Sequence, residues 1–273
     1  MFLASLGLLL ADQVQVSGLR VVQEQHRGTP GGPSAASLDD APGAAPDRWR
    51  HVDLSHVITD GMTTYPGLPG PQITQHLTRE ASRASYAPGT EFAIDRISMV
   101  GNTGTYLDSP YHRYPDGTDL AGLSLSDLAA VPAVVVRTAG TGLRAVDVGA
   151  LAAHDVTGRA VLLHTGGDAH WGTPEYARDA PYLTEVGAGW LVEHGARLVG
   201  IDAVNIDRID AEAAGTRPAH TLLLAAGIPV VEHLTGLGQL PPHGAQFTAA
   251  PPRVAGFGTF PVRAYAAVPV ERS

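Results

Sequence analysis

Residues 101–112 run Gly101-Asn102-Thr103-Gly104-Thr105-Tyr106-Leu107-Asp108-Ser109-Pro110-Tyr111-His112, small, polar and ionisable side chains packed together after an apolar, strand-like run. If the chain turns at Gly104 and again at Pro110, Asn102, Tyr106, Asp108 and His112 converge. An amide, a phenol, a carboxylate and an imidazole would then share one place. By composition alone the same segment also fits a satisfied turn with an Asx cap.

Around this segment, 273 residues with 44% hydrophobic content provide for one large core or two small ones. Thirty-two glycines and 21 prolines favour many turns and short strands over a helical bundle. All 18 basic residues are arginine; with 27 acidic residues the net charge is -9, and no local basic cluster reverses it. Nucleic acid is therefore not an expected partner. The absence of cysteine excludes disulfides, thiolate metal sites and cysteine nucleophiles.

The apolar stretch from Phe2 to Ala11 has the length of a signal-peptide core, but no Arg or Lys precedes it and no A-x-A site follows. It is too short for a bilayer span, which takes about 20 apolar residues. A cytoplasmic protein with no membrane partner is the expectation. Residues 27–47, rich in Gly, Pro, Ala and Asp, read as a linker. The expected organisation is an N-terminal extension and linker over residues 1–48 and one catalytic domain over residues 49–273.

Short β-branched runs at Ala133–Thr138, Ala160–Thr165, Arg197–Asp202 and Ile228–Glu232 suit buried strands. Between the second and third of these, Thr184 precedes Val186, Trp190, Leu191 and His194 at helical spacing, with Gly195 as a stop, which makes a β-α-β unit. A further helix is expected from Pro218 to Ala226, delivering into the strand that carries Glu232.

The segment 102–112 resembles the hallmark H-x-G-T-H-x-D-x-P-x-H of the cyclase or kynurenine-formamidase-like metal-dependent hydrolases, matched here as N-T-G-T-Y-L-D-S-P-Y-H. Further segments agree in order: Asp53-Leu54-Ser55-His56 with Gly61-Met62 and Tyr65-Pro66-Gly67, then Leu162-Leu163-His164-Thr165-Gly166, Gly200-Ile201-Asp202, and His220 twelve residues before Glu232. The resemblance spans roughly residues 51 to 268. It implies an α/β protein of the swivelling β/β/α type, a mixed sheet with flanking helices, that acts as a homodimer or homotetramer on a small-molecule substrate.

The resemblance also implies a divalent metal site, often binuclear, built from two motif histidines, the motif aspartate, and a later His and Glu. Asp108, His220 and Glu232 fall on three of those positions, Asn102 and Tyr106 replace the two histidines, and His112 falls on the general acid/base. An amide oxygen and a phenol are poor zinc ligands unless the phenol ionises, which is costly at pH 7. Two carboxylates and one imidazole remain, a hard set suited to one divalent ion, manganese, zinc or magnesium. The alternative is a metal-free site in which His112 is the base and Tyr106 and Asn102 donate to a developing oxyanion.

His164 and His170 flank Thr165-Gly166-Gly167-Asp168-Ala169, which is read as a strand end and pocket loop with Trp171 and Tyr176 as contacts; no phosphate-loop or standard zinc spacing is present. His154 and His194 suit helix ends. Asp202 and Asp207 around Asn205 are read as capping carboxylates of a turn. His233, next to Glu232 on a strand, is expected to face the opposite side. The leading function is hydrolysis of a small amide, formamide or lactone, or the reverse ring closure. The alternatives are a metal-independent biosynthetic cyclase or dehydratase, and an inactive binding protein of the same fold.

Overall fold

The computed structural model describes residues 49–270; the extension and linker expected over residues 1–48 lie outside the described residues. The strands are β1 (Trp49–Asp53), β2 (Gln72–Leu77), β3 (Ile94–Ser98), β4 (Tyr106–Asp108), β5 (Val131–Arg137), β6 (Ala145–Val146), β7 (Ala160–His164), β8 (Tyr182–Leu183), β9 (Leu198–Ile201), β10 (Val230–Glu232), β11 (His243–Thr248), β12 (Thr259–Pro261) and β13 (Tyr265–Pro269). The helices are α1 (Arg79–Ser82), α2 (Val148–Leu151), α3 (Glu185–Glu193) and α4 (Pro218–Ala225).

Nine strands form one mixed sheet in the order β1-β13-β11-β5-β7-β9-β10-β4-β12. Its centre, β5-β7-β9-β10, is parallel, and antiparallel arms extend from it on both sides. Val131–Arg137, Ala160–His164 and Leu198–Ile201 are buried over most of their length, as parallel strands covered on both faces must be. Alternation sorts their side chains: Val134, Val136, Val161, Leu163, Val199 and Ile201 join the core with Leu191 and Leu223 of the two longer helices. Ala133, Val135, Ala160, Leu162 and Leu198 face the other way, toward Leu54, Leu107 and Phe247. Fully burying a Leu or Val side chain stabilises by about 1.5–3 kcal/mol, so this two-sided core holds the β10-β4-β12 end of the sheet in place.

The helices end where their sequence says. Thr184 caps α3, its hydroxyl accepting from Gly187 N, and Gly195 follows in the left-handed region. Pro218 occupies the first turn of α4, and Gly227, also left-handed, closes it. The α/β class and the mixed sheet with flanking helices agree with the sequence expectation. Apart from the main sheet, β2 and β3 pair antiparallel as a two-stranded ribbon, with Ile73 opposite Ile97 and every residue but Leu77 exposed. Among the described residues no helix is long and apolar enough to cross a membrane.

Candidate active site

Strand pairing assembles most of the site. The β4–β10 register sets Glu232 opposite Tyr106, and the β4–β12 register sets Thr259 opposite Asp108. Tyr106 and Asp108, two residues apart, share a face of β4. Pro110 then starts a 3-10 turn, Pro110–His112, that swings His112 back until its Nδ1 is 3.6 Å from Asp108 Oδ1. Gly258 makes that approach possible, because a Cβ there would meet the His112 backbone at 2.6 Å. His220 enters from the first turn of α4.

Each imidazole is held by an oxygen on its Nδ1. Thr259 donates its hydroxyl proton to Asp108 Oδ1, so across the 2.7 Å to His112 Nδ1 it accepts, which leaves the Nε2 lone pair of neutral His112 free. His220 Nδ1 donates to Asp207 Oδ2 at 2.6 Å, while its Nε2 lies 3.5 Å from Asp108 Oδ2 and 3.6 Å from Glu232 Oε1. Glu232 Oε1 also accepts from Ile206 N, and Oε2 accepts from the Tyr106 hydroxyl, both at 2.6 Å. Asn102, Tyr106, His112, His220 and Glu232 all line one cleft of about 920 Å³.

The charges follow from burial and proximity. Burial works against a charged His220, but the nearby Glu232 and Asp108 carboxylates and the Asp207 hydrogen bond overcome it and raise its pKa to about 10. Burial pushes Glu232 up to about 7, with Asp108 adding to it and His220 opposing. Asp108 is pushed up by burial too, yet His220, His112 and Thr259 together bring it below the ordinary carboxylate range. Burial, then the Glu232 and Asp108 charges, push the Tyr106 phenol well above 10, so it is a neutral donor here and not a phenolate ligand.

The residues fit a divalent ion. Asp108 Oδ2 is buried without a hydrogen-bond partner, and its 3.5 Å to His220 Nε2 is too long to satisfy it. Ligand atoms of Asp108, His112 and His220 lie within 4.8 Å of one another. A carboxylate with two imidazoles is a common donor set for a catalytic metal.

Other expectations are corrected. The loop from Gly166 to Tyr176 packs behind the cleft instead of lining it: Trp171 stacks on His56 at 3.9 Å, and Tyr176 reaches His233. His164 meets Arg137, and neither His164 nor His170 joins the cluster at Asp108. Asp202 does cap its turn, accepting from Thr165 N and Gly166 N. Asp207 caps α4 through Ala219 N and His220 N, but it also orients the His220 ring. His194 ends α3 as expected, while His154 lies past α2 against His243. His233 does not continue the strand: at φ 57 it turns back toward Tyr106. Thr259 was not singled out from the sequence, although Gly258 beside it marks a place of close backbone approach.

The cyclase family profile, described as "Putative cyclase", matches residues 52–208, more than half of the chain. A kynurenine formamidase of Geobacillus thermodenitrificans is 28% identical over 214 residues, 78% of this chain and 95% of that protein. A solved structure described as a predicted metal-dependent hydrolase from Bacillus stearothermophilus is 25% identical, with a TM-score of 0.64 over 81% of this chain and 98% of its own. An isatin hydrolase A of Labrenzia aggregata shares the fold at 22% identity, with a TM-score of 0.70 over 81% of this chain and 94% of its own. By the span of the matched region and the order of its motifs, the chain belongs to the cyclase family.

Proposed function

We propose that this protein hydrolyses the C–N bond of a small amide or formamide, or the ring of a related lactone, at a centre holding one divalent ion. The observation that carries this is the partnerless, buried Oδ2 of Asp108, gathered with His112 and His220 at a cleft large enough for a small molecule. Relatives named kynurenine formamidase support the bond type. Arg113 and Arg217 also line the cleft, and neither has a carboxylate partner among the described residues, which favours a substrate carrying an anionic group.

Asp108, His220 and Glu232 would hold the ion, manganese, zinc or magnesium, which would supply a Lewis acid for the carbonyl and lower the pKa of water. His112 moves the proton: with Nδ1–H pinned on Thr259, its Nε2 takes a proton from attacking water and returns it to the leaving nitrogen. Asn102, on the cleft wall, offers its amide N–H to the developing oxyanion. Tyr106 cannot do so while its hydroxyl donates to Glu232.

A second assignment exchanges Glu232 and His112, because both Glu232 oxygens already accept hydrogen bonds while His112 lies within the 4.8 Å cluster. Metal content of purified His112→Ala and Glu232→Gln separates the two: the ligand variant loses the ion, and the acid/base variant keeps it and loses kcat. Retention of the ion by both variants, with wild-type turnover, would rule out either assignment.

The protein is proposed to act as a homo-oligomer. The β2–β3 ribbon leaves Ile73, Ile94 and Ile97 between 42% and 49% exposed, and a two-stranded ribbon is marginal without cover. Light scattering on the intact protein would show a monomer if this is wrong.

A further inference from the structure

His233 holds a backbone conformation that a side chain of its size rarely adopts. Its φ is 57, in the left-handed region that costs a residue with a Cβ free energy and persists only where the surroundings over-determine it. Two bonds hold it there, His233 N donating to Ala203 O at 3.2 Å and the Thr105 hydroxyl donating to His233 O at 2.6 Å, and the Thr105 hydroxyl is itself braced by accepting from His56 N at 3.0 Å. The ring is thereby turned away from the alternation of β10 and into the layer behind the cleft, fully buried.

There the ring joins a chain whose direction can be assigned bond by bond. The Tyr106 hydroxyl has one proton, and the 2.6 Å contact to the Glu232 carboxylate takes it. Across the 3.3 Å to Tyr106 the imidazole must therefore donate from Nε2–H. A neutral ring protonated on Nε2 has a bare Nδ1, which accepts from the Tyr176 hydroxyl at 2.9 Å. Both ring nitrogens face phenol oxygens and neither faces a carboxylate, so the fully buried ring is neutral. The order Tyr176 O–H to His233 Nδ1, His233 Nε2–H to Tyr106 O, Tyr106 O–H to Glu232 Oε2 satisfies each of these donors once.

We propose that His233 and Tyr176 are positioning residues that hold the Tyr106 hydroxyl on Glu232 and so fix the orientation of that carboxylate in the cleft. The chain is an orienting device and not a proton wire. A shift of protons toward Glu232 would leave Tyr176 as a phenolate, and burial followed by the charges of Glu232, Asp202 and Asp168 pushes its pKa well above 10. Trp171 meets Tyr176 edge-on at 5.2 Å and stacks on His56, so the far end is packed in rings, and among the described residues His233 is the one side chain hydrogen-bonded to the Tyr176 hydroxyl. The effect applies to Glu232 as a carboxylate, the form in which it can ligate an ion or take a proton, since partners at this remove set the direction of the groups they touch.

Histidine tautomers read by nitrogen-15 NMR test the chain on the intact, substrate-free protein. Wild type is expected to show His233 as the Nε2–H tautomer. Tyr106→Phe removes the acceptor, and His233 should then change to Nδ1–H, donating to Tyr176. Tyr176→Phe, which keeps the ring and its packing, should lower kcat about tenfold with KM unchanged. An Nδ1–H tautomer in wild type overturns the proposal, as does a Tyr176→Phe enzyme whose only change is a lower Tm. The tautomer measurement needs no turnover, so a failure of the amide-hydrolase proposal leaves it standing and the two are told apart.

Discussion

Replacing Thr259 by valine keeps the shape of the side chain and removes one hydroxyl, the only group that touches both Asp108 and His112 from β12. Asp108 is fully buried, and its other oxygen already lacks a partner. Loss of a hydrogen bond to a buried charged group costs about 1.5–3 kcal/mol, which in a domain of this size lowers Tm by roughly 4–10 °C. Activity should fall further than stability accounts for. His112 loses the partner that keeps its proton on Nδ1, and removing such a partner costs about 10–100-fold. Thr259→Ser, which retains the hydroxyl, should recover most of both losses. Thermal melts and kcat/KM on an N-formylaniline substrate measure the two effects side by side. A Thr259→Val protein within twofold of wild type in kcat/KM would refute the role of this hydroxyl.

Asp207→Asn should loosen the His220 ring and weaken divalent-ion affinity about tenfold, read by titration calorimetry, because the carboxylate on Nδ1 raises the basicity of Nε2. In metal-free protein, His220 has a folded pKa of about 10 against 6.5 unfolded. Its contribution is fully present below pH 6.5 and is lost as pH rises through 10, by at most about 5 kcal/mol. Urea midpoints from pH 7 to 10 should therefore fall, and His220→Gln should flatten the slope; an unchanged slope in that variant counts against the assignment. Deleting residues 1–48 should leave kcat/KM within twofold, since every residue assigned to the site lies within residues 102–259; a larger loss would place part of the site in the extension. Ile97→Glu should lower the mass of the proposed homo-oligomer in light scattering, and an unchanged mass would mean the ribbon is not an interface.

The central strands and the two longer helices were legible because one physical cause dominates each. Runs such as Ala133–Thr138 are buried on both faces, so apolarity alone marks β5, β7, β9 and β10, and Thr184, Pro218, Gly195 and Gly227 mark the ends of α3 and α4 by their capping chemistry. The antiparallel arms were not, because β1, β11, β12 and β13 are only partly buried, and their pairing with distant strands leaves no local trace. Within the site, Asn102, Tyr106, Asp108 and His112 stood out by their types and spacing, whereas His220 and Glu232 were marked only by the family resemblance. Thr259 was hidden because a threonine in a strand is ordinary until the partner strand is known. His233 was misplaced because two-residue alternation holds only while φ stays extended, and the backbone leaves that region at this residue.

The one-ion centre is tested most directly by metal stoichiometry on protein reconstituted with manganese, zinc or magnesium, paired with turnover before and after chelation. One ion per chain, lost together with formamide hydrolysis in Asp108→Asn, is the predicted result. Two ions per chain, or full turnover by metal-free protein, would contradict it.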